Sequence, residues 1–314
     1  MSSKALIIGA AGFVGGYLID YLHDKCKWSI YATKMQNEKM DTDKADIVNL
    51  NILDYESIVN LLNETKPEYI FHLAAQSSVA YSWQNPKLTV DININGTINL
   101  LNAVKEVVPN ATVLLIGSSE EYGSCNLDNG IIDEEHKLSP TNIYAMTKVA
   151  QEMTGKIYAE AYNMKIIMVR AFNHIGPKQS PLFVVSDFCK QVAEIEKGLR
   201  EPIMKVGNLS AKRDFTDVRD IVRAYTDIIQ SGEYGEVYNV GSSKAIEISK
   251  ILDMIISQVQ CDIKVEIDQT KLRPVDTPVI EADTSKLKKQ LGWKPKYHIE
   301  DTIADTLNYW RFNI

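Results

Sequence analysis

The first 170 residues alternate short, almost wholly apolar runs with longer stretches in which apolar positions recur every three or four residues. The runs Ala5–Ile8, Ser29–Ala32, Ile47–Asn49, Tyr69–Leu73, Thr112–Ile116 and Ile166–Arg170 predict strands. They are apolar nearly throughout rather than alternating, the pattern of strands covered on both faces. Helical periodicity falls between them, at Val14–His23, Tyr55–Glu64, Leu88–Val107 and Tyr144–Tyr162. Strands and helices in alternation at these spacings predict βαβ units, hence an α/β fold with a doubly wound parallel sheet. After Phe172 the texture changes. A loop reading Asn-His-Ile-Gly-Pro (173–177) precedes a helix near Val184–Lys197, mixed short elements, a strand Glu236–Val240 and a helix from Ser249 to Gln258. Two units are expected, 1–172 and a smaller 173–314, with the late strand returning to the first sheet.

Charge and composition narrow the function classes. The 314 residues carry 34 Lys plus Arg against 41 Asp plus Glu, a net charge of −7, with no block of like charge. A nucleic-acid or membrane-surface partner is therefore not expected. Apolar runs such as Ala111–Gly117 are far shorter than the roughly 20 residues of a membrane span. The N-terminus reads Met-Ser-Ser-Lys and enters an apolar run without a signal-peptide pattern. Cys26, Cys125, Cys189 and Cys261 are widely spaced and read as free thiols of a reducing cytoplasm. His23, His72, His136, His174 and His298 form no metal-like spacing, so no metal is expected.

The first chemical signal is the turn after the first strand. Lys4–Ile8 runs into Gly9-Ala10-Ala11-Gly12-Phe13-Val14-Gly15, and a helix follows. Glycines there permit a tight turn and close backbone approach to a pyrophosphate, while the helix N-terminus offers free N–H groups to the phosphates. The spacing is GxxGxxG. It points to a dinucleotide cofactor bound by the first unit. The second strand ends in Thr33-Lys34, with no acid until Glu38 to accept from a ribose hydroxyl. Lys34 suits a 2′-phosphate, which favours NADP(H), with NAD(H) the alternative; an ordinary solvated lysine reads the same way.

The second signal is Tyr144-Ala145-Met146-Thr147-Lys148, which places a phenol and an ammonium one helical turn apart. A phenol at its usual pKa of about 10 is a poor acid–base catalyst, and a nearby cation brings it closer to neutrality. Upstream, a strand ends in Gly117-Ser118-Ser119-Glu120-Glu121-Tyr122-Gly123, and strand ends of an open parallel sheet are where ligands sit. Ser118 is thus a candidate donor to a carbonyl oxygen. Ser118 and Ser119 read equally as turn hydroxyls that satisfy local backbone.

These residues resemble the nucleotide-sugar-modifying branch of the extended short-chain dehydrogenase/reductase family. The resemblance covers nearly the whole chain: GAAGFVGG at 9–16, FHLAAQSSV at 71–79, NINGTINLL at 93–101, YxxxK at 144–148, RAFNHIGP at 170–177, LRP at 272–274 and LGWKP at 291–295. It implies a Rossmann nucleotide domain with a smaller C-terminal domain for the sugar nucleotide. Gly9, Gly12, Phe13, Val14 and Gly15 would cradle the cofactor pyrophosphate. Asn51 and Ile52 match a pair that touches adenine, with Asn in place of the usual Asp. Leu73, Ala74, Ala75 and Asn93 would line or border the cofactor cleft. Ser118, Tyr144 and Lys148 would form the catalytic set, with Glu120 at the position of a dehydratase base and Ser119 and Glu120 near the substrate. Asn173 would contact the sugar diphosphate, and Arg213 and Arg273 its phosphates, a task that suits a planar guanidinium. An ordinary surface ion pair reads equally for either arginine. For His174, the plainer reading is a hydrogen bond to backbone.

The segments FNHIGP, VGNLSAKRDFTDVRD and GSSEEYG are similar to the GDP-mannose subgroup. This resemblance implies NADPH-dependent reduction of the 4-keto group of a GDP-4-dehydro-6-deoxy-D-mannose. A 4,6-dehydratase or a 4-epimerase on the same fold is the alternative. It also implies a homodimer through the helices of Leu88–Val107 and Tyr144–Tyr162.

Overall fold

The computed structural model describes residues 2–123, 130–271 and 277–314. In chain order, β1 (Lys4–Ile8), α1 (Phe13–Tyr21), β2 (Ser29–Lys34), β3 (Asp46–Asn49), α2 (Tyr55–Thr65) and β4 (Tyr69–His72) come first. The short helices α3 (Val79–Gln84) and α4 (Pro86–Val90) lead to α5 (Gly96–Val107), β5 (Thr112–Ser118), β6 (Ile131–Ile132), α6 (Ile143–Tyr162) and β7 (Ile166–Ala171). Then follow β8 (Asn173–Ile175), α7 (Val184–Glu196), β9 (Ile203–Val206), β10 (Lys212–Asp217), α8 (Val218–Ser231), β11 (Val237–Val240) and β12 (Ala245–Glu247). The chain ends with α9 (Ile248–Ile256), β13 (Lys264–Ile267), β14 (Val279–Ala282), α10 (Ser285–Leu291) and α11 (Ile299–Asn313).

Seven parallel strands form the main sheet in the order β11-β7-β5-β4-β1-β2-β3. The strand order reverses at β1 and β4, so the crevice outside their carboxyl ends is the switch point of a doubly wound sheet. Successive side chains of a strand face opposite ways. Ala5 and Ile7 therefore enter one core with Leu18, Ile19, Ile221 and Tyr225 of α1 and α8. Leu6 and Ile8 enter the other with Ile58, Leu62, Leu100 and Val104 of α2 and α5. Two covered faces explain why these strands read as continuous apolar runs. The late strand β11 lies beside β7, with Val237 opposite Met168. Leu287 of α10 and Trp293 also join the first core.

The smaller unit is built on β12-β10-β14-β6, with β8 against β10, and on a separate pair β13-β9. Helices α7, α9 and α11 enclose its core around Phe188, Val192, Ile251 and Leu307. Among the described residues, no helix is long and apolar enough to cross a membrane, and no group of three or more His, Cys, Asp or Glu side chains is placed to hold a metal. Cys26, Cys189 and Cys261 are free thiols; Cys125 lies outside the described residues.

Two differences from the sequence pattern bear on the site. The single helix expected over Leu88–Val107 is divided by a π-helical turn at Asp91–Asn95. Such turns often mark functional positions, and this one directs Asn93 inward: its amide oxygen accepts the Gln76 N–H (2.8 Å), and its nitrogen donates to the Gln76 carbonyl (3.1 Å) and Thr147 Oγ1 (2.9 Å). Helix α8 is absent from the pattern reading because β10 runs into it without a glycine or proline between. Asp217 ends the strand and caps the helix, accepting the Arg219 N–H at 2.7 Å.

Candidate active site

The site is assembled at the carboxyl ends of β1, β2, β4 and β5. Gly9 leaves β1 with φ +83°, and a Cβ there would lie 2.6 Å from the backbone N and Cα of Ala74. A Cβ on Gly15 would strike the Ala10 carbonyl. These two glycines let the turn sit against the segment after β4. The Gly9 N–H donates to Thr33 Oγ1 (3.0 Å), the Ala10 N–H to the Thr33 carbonyl (2.7 Å) and the Leu73 N–H to the Ile8 carbonyl (2.9 Å). Gly12 precedes α1 with no side-chain cap; Phe13 and Val14 open that helix, and the partly buried Leu73, Ala74 and Ala75 follow β4. An uncapped helix end and a turn of glycine and alanine at a switch point fit a dinucleotide pyrophosphate.

The adenosine end is less enclosed. Lys34 curls over the loop after β2 and donates to the carbonyls of Glu38 (2.9 Å) and Met35 (3.4 Å). Asn51 is exposed, and its side chain accepts the Leu53 N–H at 3.0 Å; Ile52 is buried. The amide of the buried Asn93 ties the loop after β4 to α6.

Ser118 is the last residue of β5. Its Oγ accepts the Glu120 N–H at 3.2 Å, and its own N–H donates to Glu121 Oε1 at 2.7 Å, a capping box over the 3-10 turn Ser119–Tyr122. The turn-hydroxyl reading thus holds for Ser118. Asn142 starts α6, accepting the Ala145 N–H (2.8 Å) and donating to Glu120 Oε2 (3.1 Å). Tyr144, two residues on, is buried, and the Ser118 side chain at the end of β5 acts on its hydroxyl. Lys148 is buried on the same helix. Its Nζ donates to the Ile116 carbonyl (2.7 Å) and to Gln151 Oε1 (2.8 Å), 6.0 Å from the centre of the Tyr144 ring.

The expectation that Lys148 draws the phenol toward neutrality is corrected here. Burial pushes the Tyr144 hydroxyl above its ordinary range, the Ser118 side chain works against it, and Glu121 and Glu120 add to the rise. Burial lowers Lys148 to about 8, with Glu121 opposing. The site therefore holds a protonated phenol, a group able to give a proton.

Toward the smaller unit, Ala171 lies opposite Ser118, and exposed Asn173 follows two residues later at the start of β8. Asn173 pairs in register with Phe215, two residues from Arg213 on β10. The Arg213 guanidinium donates to the carbonyls of Lys212 (2.8 Å) and Thr277 (2.7 Å); Arg273 lies outside the described residues. The ring of His174 meets the Phe172 carbonyl at 3.2 Å and stacks on Phe13 at 5.9 Å, which joins β8 to the glycine turn. Beneath the site, Arg170 makes two hydrogen bonds to Glu152, each 2.8 Å, and donates to Tyr122 Oη at 2.8 Å. Tyr122 in turn donates to Asn239 of β11 at 2.7 Å. Pattern reading passes over Glu121, Gln151 and this network; the second acid of Glu120-Glu121 is the one trace Glu121 leaves in the sequence.

A doubly wound sheet with a glycine turn at its switch point and a Ser–Tyr–Lys set at the end of β5 defines an NAD(P)-dependent enzyme class of the extended short-chain dehydrogenase/reductase type. A family model described as GDP-mannose 4,6 dehydratase matches residues 6–306, and the chain belongs to that family. It is 29% identical to GDP-6-deoxy-D-mannose reductase of Pseudomonas aeruginosa over 100% of this chain and 99% of that protein. It is also 29% identical to GDP-mannose 4,6 dehydratase 1 of Arabidopsis thaliana, covering 95% of this chain and 87% of the other. The structure of RMD from Pseudomonas aeruginosa complexed with NADPH superimposes with a TM-score of 0.88 at 29% identity, covering 100% of this chain and 99% of that one.

Proposed function

We propose that the protein reduces the 4-keto group of GDP-4-dehydro-6-deoxy-D-mannose to GDP-6-deoxy-D-mannose (GDP-D-rhamnose), with NADP(H) in preference to NAD(H). The observation that carries this reading is the buried Tyr144 near Ser118 at the end of β5, its hydroxyl kept protonated by burial. The similarity to the Pseudomonas reductase along the full length supports it. The nicotinamide cofactor, when bound, supplies the hydride to carbon 4. Tyr144 gives its proton to the oxygen that becomes the new hydroxyl. Ser118 donates to the same oxygen, and one such donor contributes about 3 kcal/mol or more to a transition state. The buried Lys148 places a positive charge beside the phenol and leaves it as counter-charge once the proton has gone. Gly9, Gly12, Phe13, Val14 and Gly15 hold the pyrophosphate, Leu73 to Ala75 border the cleft, and Asn173, Arg213 and Arg273 take the sugar diphosphate. The units 1–172 and 173–314 divide these tasks.

Dehydration of GDP-mannose is the second reading. It is favoured by Glu120, whose carboxylate is held by Asn142 at 3.1 Å beside Tyr144. A dehydratase restores its cofactor in each cycle, whereas a reductase consumes it. The test is NADPH absorbance during incubation with GDP-4-dehydro-6-deoxy-D-mannose, with product analysis. A stoichiometric fall with GDP-D-rhamnose formed supports the reductase; no fall overturns it, and GDP-mannose without added cofactor then tests dehydration. Tyr144→Phe should keep NADPH affinity while losing at least about a hundredfold in turnover; unchanged turnover would refute the proton-donor role.

The homodimer belongs to the same proposal. Met146, Met153 and Ile157 share one face of α6 and are 38%, 41% and 60% exposed. A second copy packed on that stripe would remove it from water. The free thiols at Cys26, Cys189 and Cys261 suit a cytoplasmic setting.

A further inference from the structure

The proposed chemistry employs Ser118, Tyr144 and Lys148 and leaves the acid beneath them without a task. Glu121 is 0% exposed. Its Oε1 accepts the Ser118 N–H at 2.7 Å, while Oε2 has no hydrogen-bond partner. The carboxyl has its place because residue 117 is glycine: a Cβ there would strike Glu121 Oε1 and lie 2.6 Å from the Val169 carbonyl. A buried carboxyl with one oxygen unsatisfied is costly, so its retention calls for a physical reason.

The charged and titratable groups facing Glu121 are Glu152, Lys148 and Tyr144 of α6 and Arg170 of β7. Arg170 is engaged by both oxygens of Glu152. Lys148 is different: its ammonium donates to two neutral oxygens, those of Ile116 and Gln151, and among the described residues Glu121 is the carboxylate whose charge acts on it. A buried cation with neutral hydrogen-bond partners needs a counter-charge.

We propose that Glu121 is a positioning residue, which anchors Ser118 through its backbone N–H and supplies the counter-charge of Lys148. Burial, with Glu152 adding, pushes the Glu121 carboxyl well above the usual carboxylate range, and burial draws Lys148 down to about 8. As pH rises, Glu121 becomes negative and resists loss of the Lys148 proton. The pair thereby holds the ammonium beside Tyr144 toward alkaline pH.

The kinetic consequence rests on the reductase reading; the titration itself does not. Lys148 is followed by NMR in the chain labelled with [13Cε]lysine, its resonance assigned by disappearance in Lys148→Met. Glu121→Gln keeps the shape and the acceptor for Ser118 but cannot ionise. Lys148 should then lose its proton at a pH lower by about one unit or more, and the alkaline limb of kcat/KM should move the same way. Glu121→Asp keeps the charge and should return the Lys148 titration toward the wild-type value. A Lys148 titration unmoved by Glu121→Gln, or moved equally by Glu121→Asp, would overturn the proposal. One measurement needs no variant of Glu121 to fold: in the wild-type chain labelled with [13Cδ]glutamate, one carboxyl should titrate well above all others. Glutamates that all titrate in the ordinary range would overturn the proposal as well. A wild-type chain that oxidises no NADPH removes the reductase reading and leaves both titrations to decide the role of Glu121.

Discussion

Replacing Lys148 by methionine exposes what the site costs the fold. Lys148 is fully enclosed and titrates at about 8 rather than 10.5. At pH 7 the folded chain carries the ammonium against that preference, a penalty of about 3 kcal/mol at ~1.4 kcal/mol per pH unit. The sign follows from linkage. A base with a depressed folded pKa binds its proton more weakly in the native state, so stability rises with pH between the folded and unfolded values. By pH 10 the wild-type chain should recover about 2.5 kcal/mol of the penalty through this one group. Lys148→Met has nothing to recover. It also leaves the Ile116 carbonyl and Gln151 without a donor, a loss of about 1–3 kcal/mol that applies at both pH values. Urea unfolding of both chains at pH 7 and pH 10 provides the comparison. The stability of Lys148→Met relative to wild type should be greater at pH 7 than at pH 10 by about 2.5 kcal/mol, while turnover is lost at both. Stability curves that run parallel from pH 7 to pH 10 would refute the reasoning.

Gly9→Ala places a Cβ 2.6 Å from Ala74 backbone at φ +83°; it should lower stability by about 1–3 kcal/mol and weaken NADPH binding at least tenfold, read by fluorescence titration. Arg170→Met leaves the buried Glu152 with Lys156 (2.9 Å) as its cation among the described residues and removes one hydrogen bond to Tyr122. The expected loss is about 3–5 kcal/mol, measured by urea unfolding. Ile157→Asp places a charge in the exposed stripe of α6; if the proposed dimer forms there, sedimentation should show it shifted toward monomer, with the thermal midpoint of the isolated chain little changed.

The elements that can be read directly from the chain are those whose cause is local. A strand buried on both faces is apolar at most of its positions, so β1, β4, β5 and β7 stand out. The turn at Gly9–Gly15 and the spacing of Tyr144 and Lys148 need only a strand, a turn and one helical turn to acquire meaning. Helix α8 was not legible because Asp217 serves as strand end and helix cap at once. The division of Leu88–Val107 was not legible either, because the partners of Asn93 that favour the π-turn lie at Gln76 and Thr147.

The sequence by itself determined the class of fold, the cofactor turn and the Tyr–Lys pair, since each follows from periodicity or from residues within a few positions of one another. Only the tertiary structure decided the state of those groups. Burial under α6 and β7, a long-range property, keeps the Tyr144 proton in place, draws Lys148 toward neutrality and brings Glu121 beneath Ser118. Free energies of ionisation depend on solvent exclusion and on charges contributed from other elements, and neither is written in local spacing.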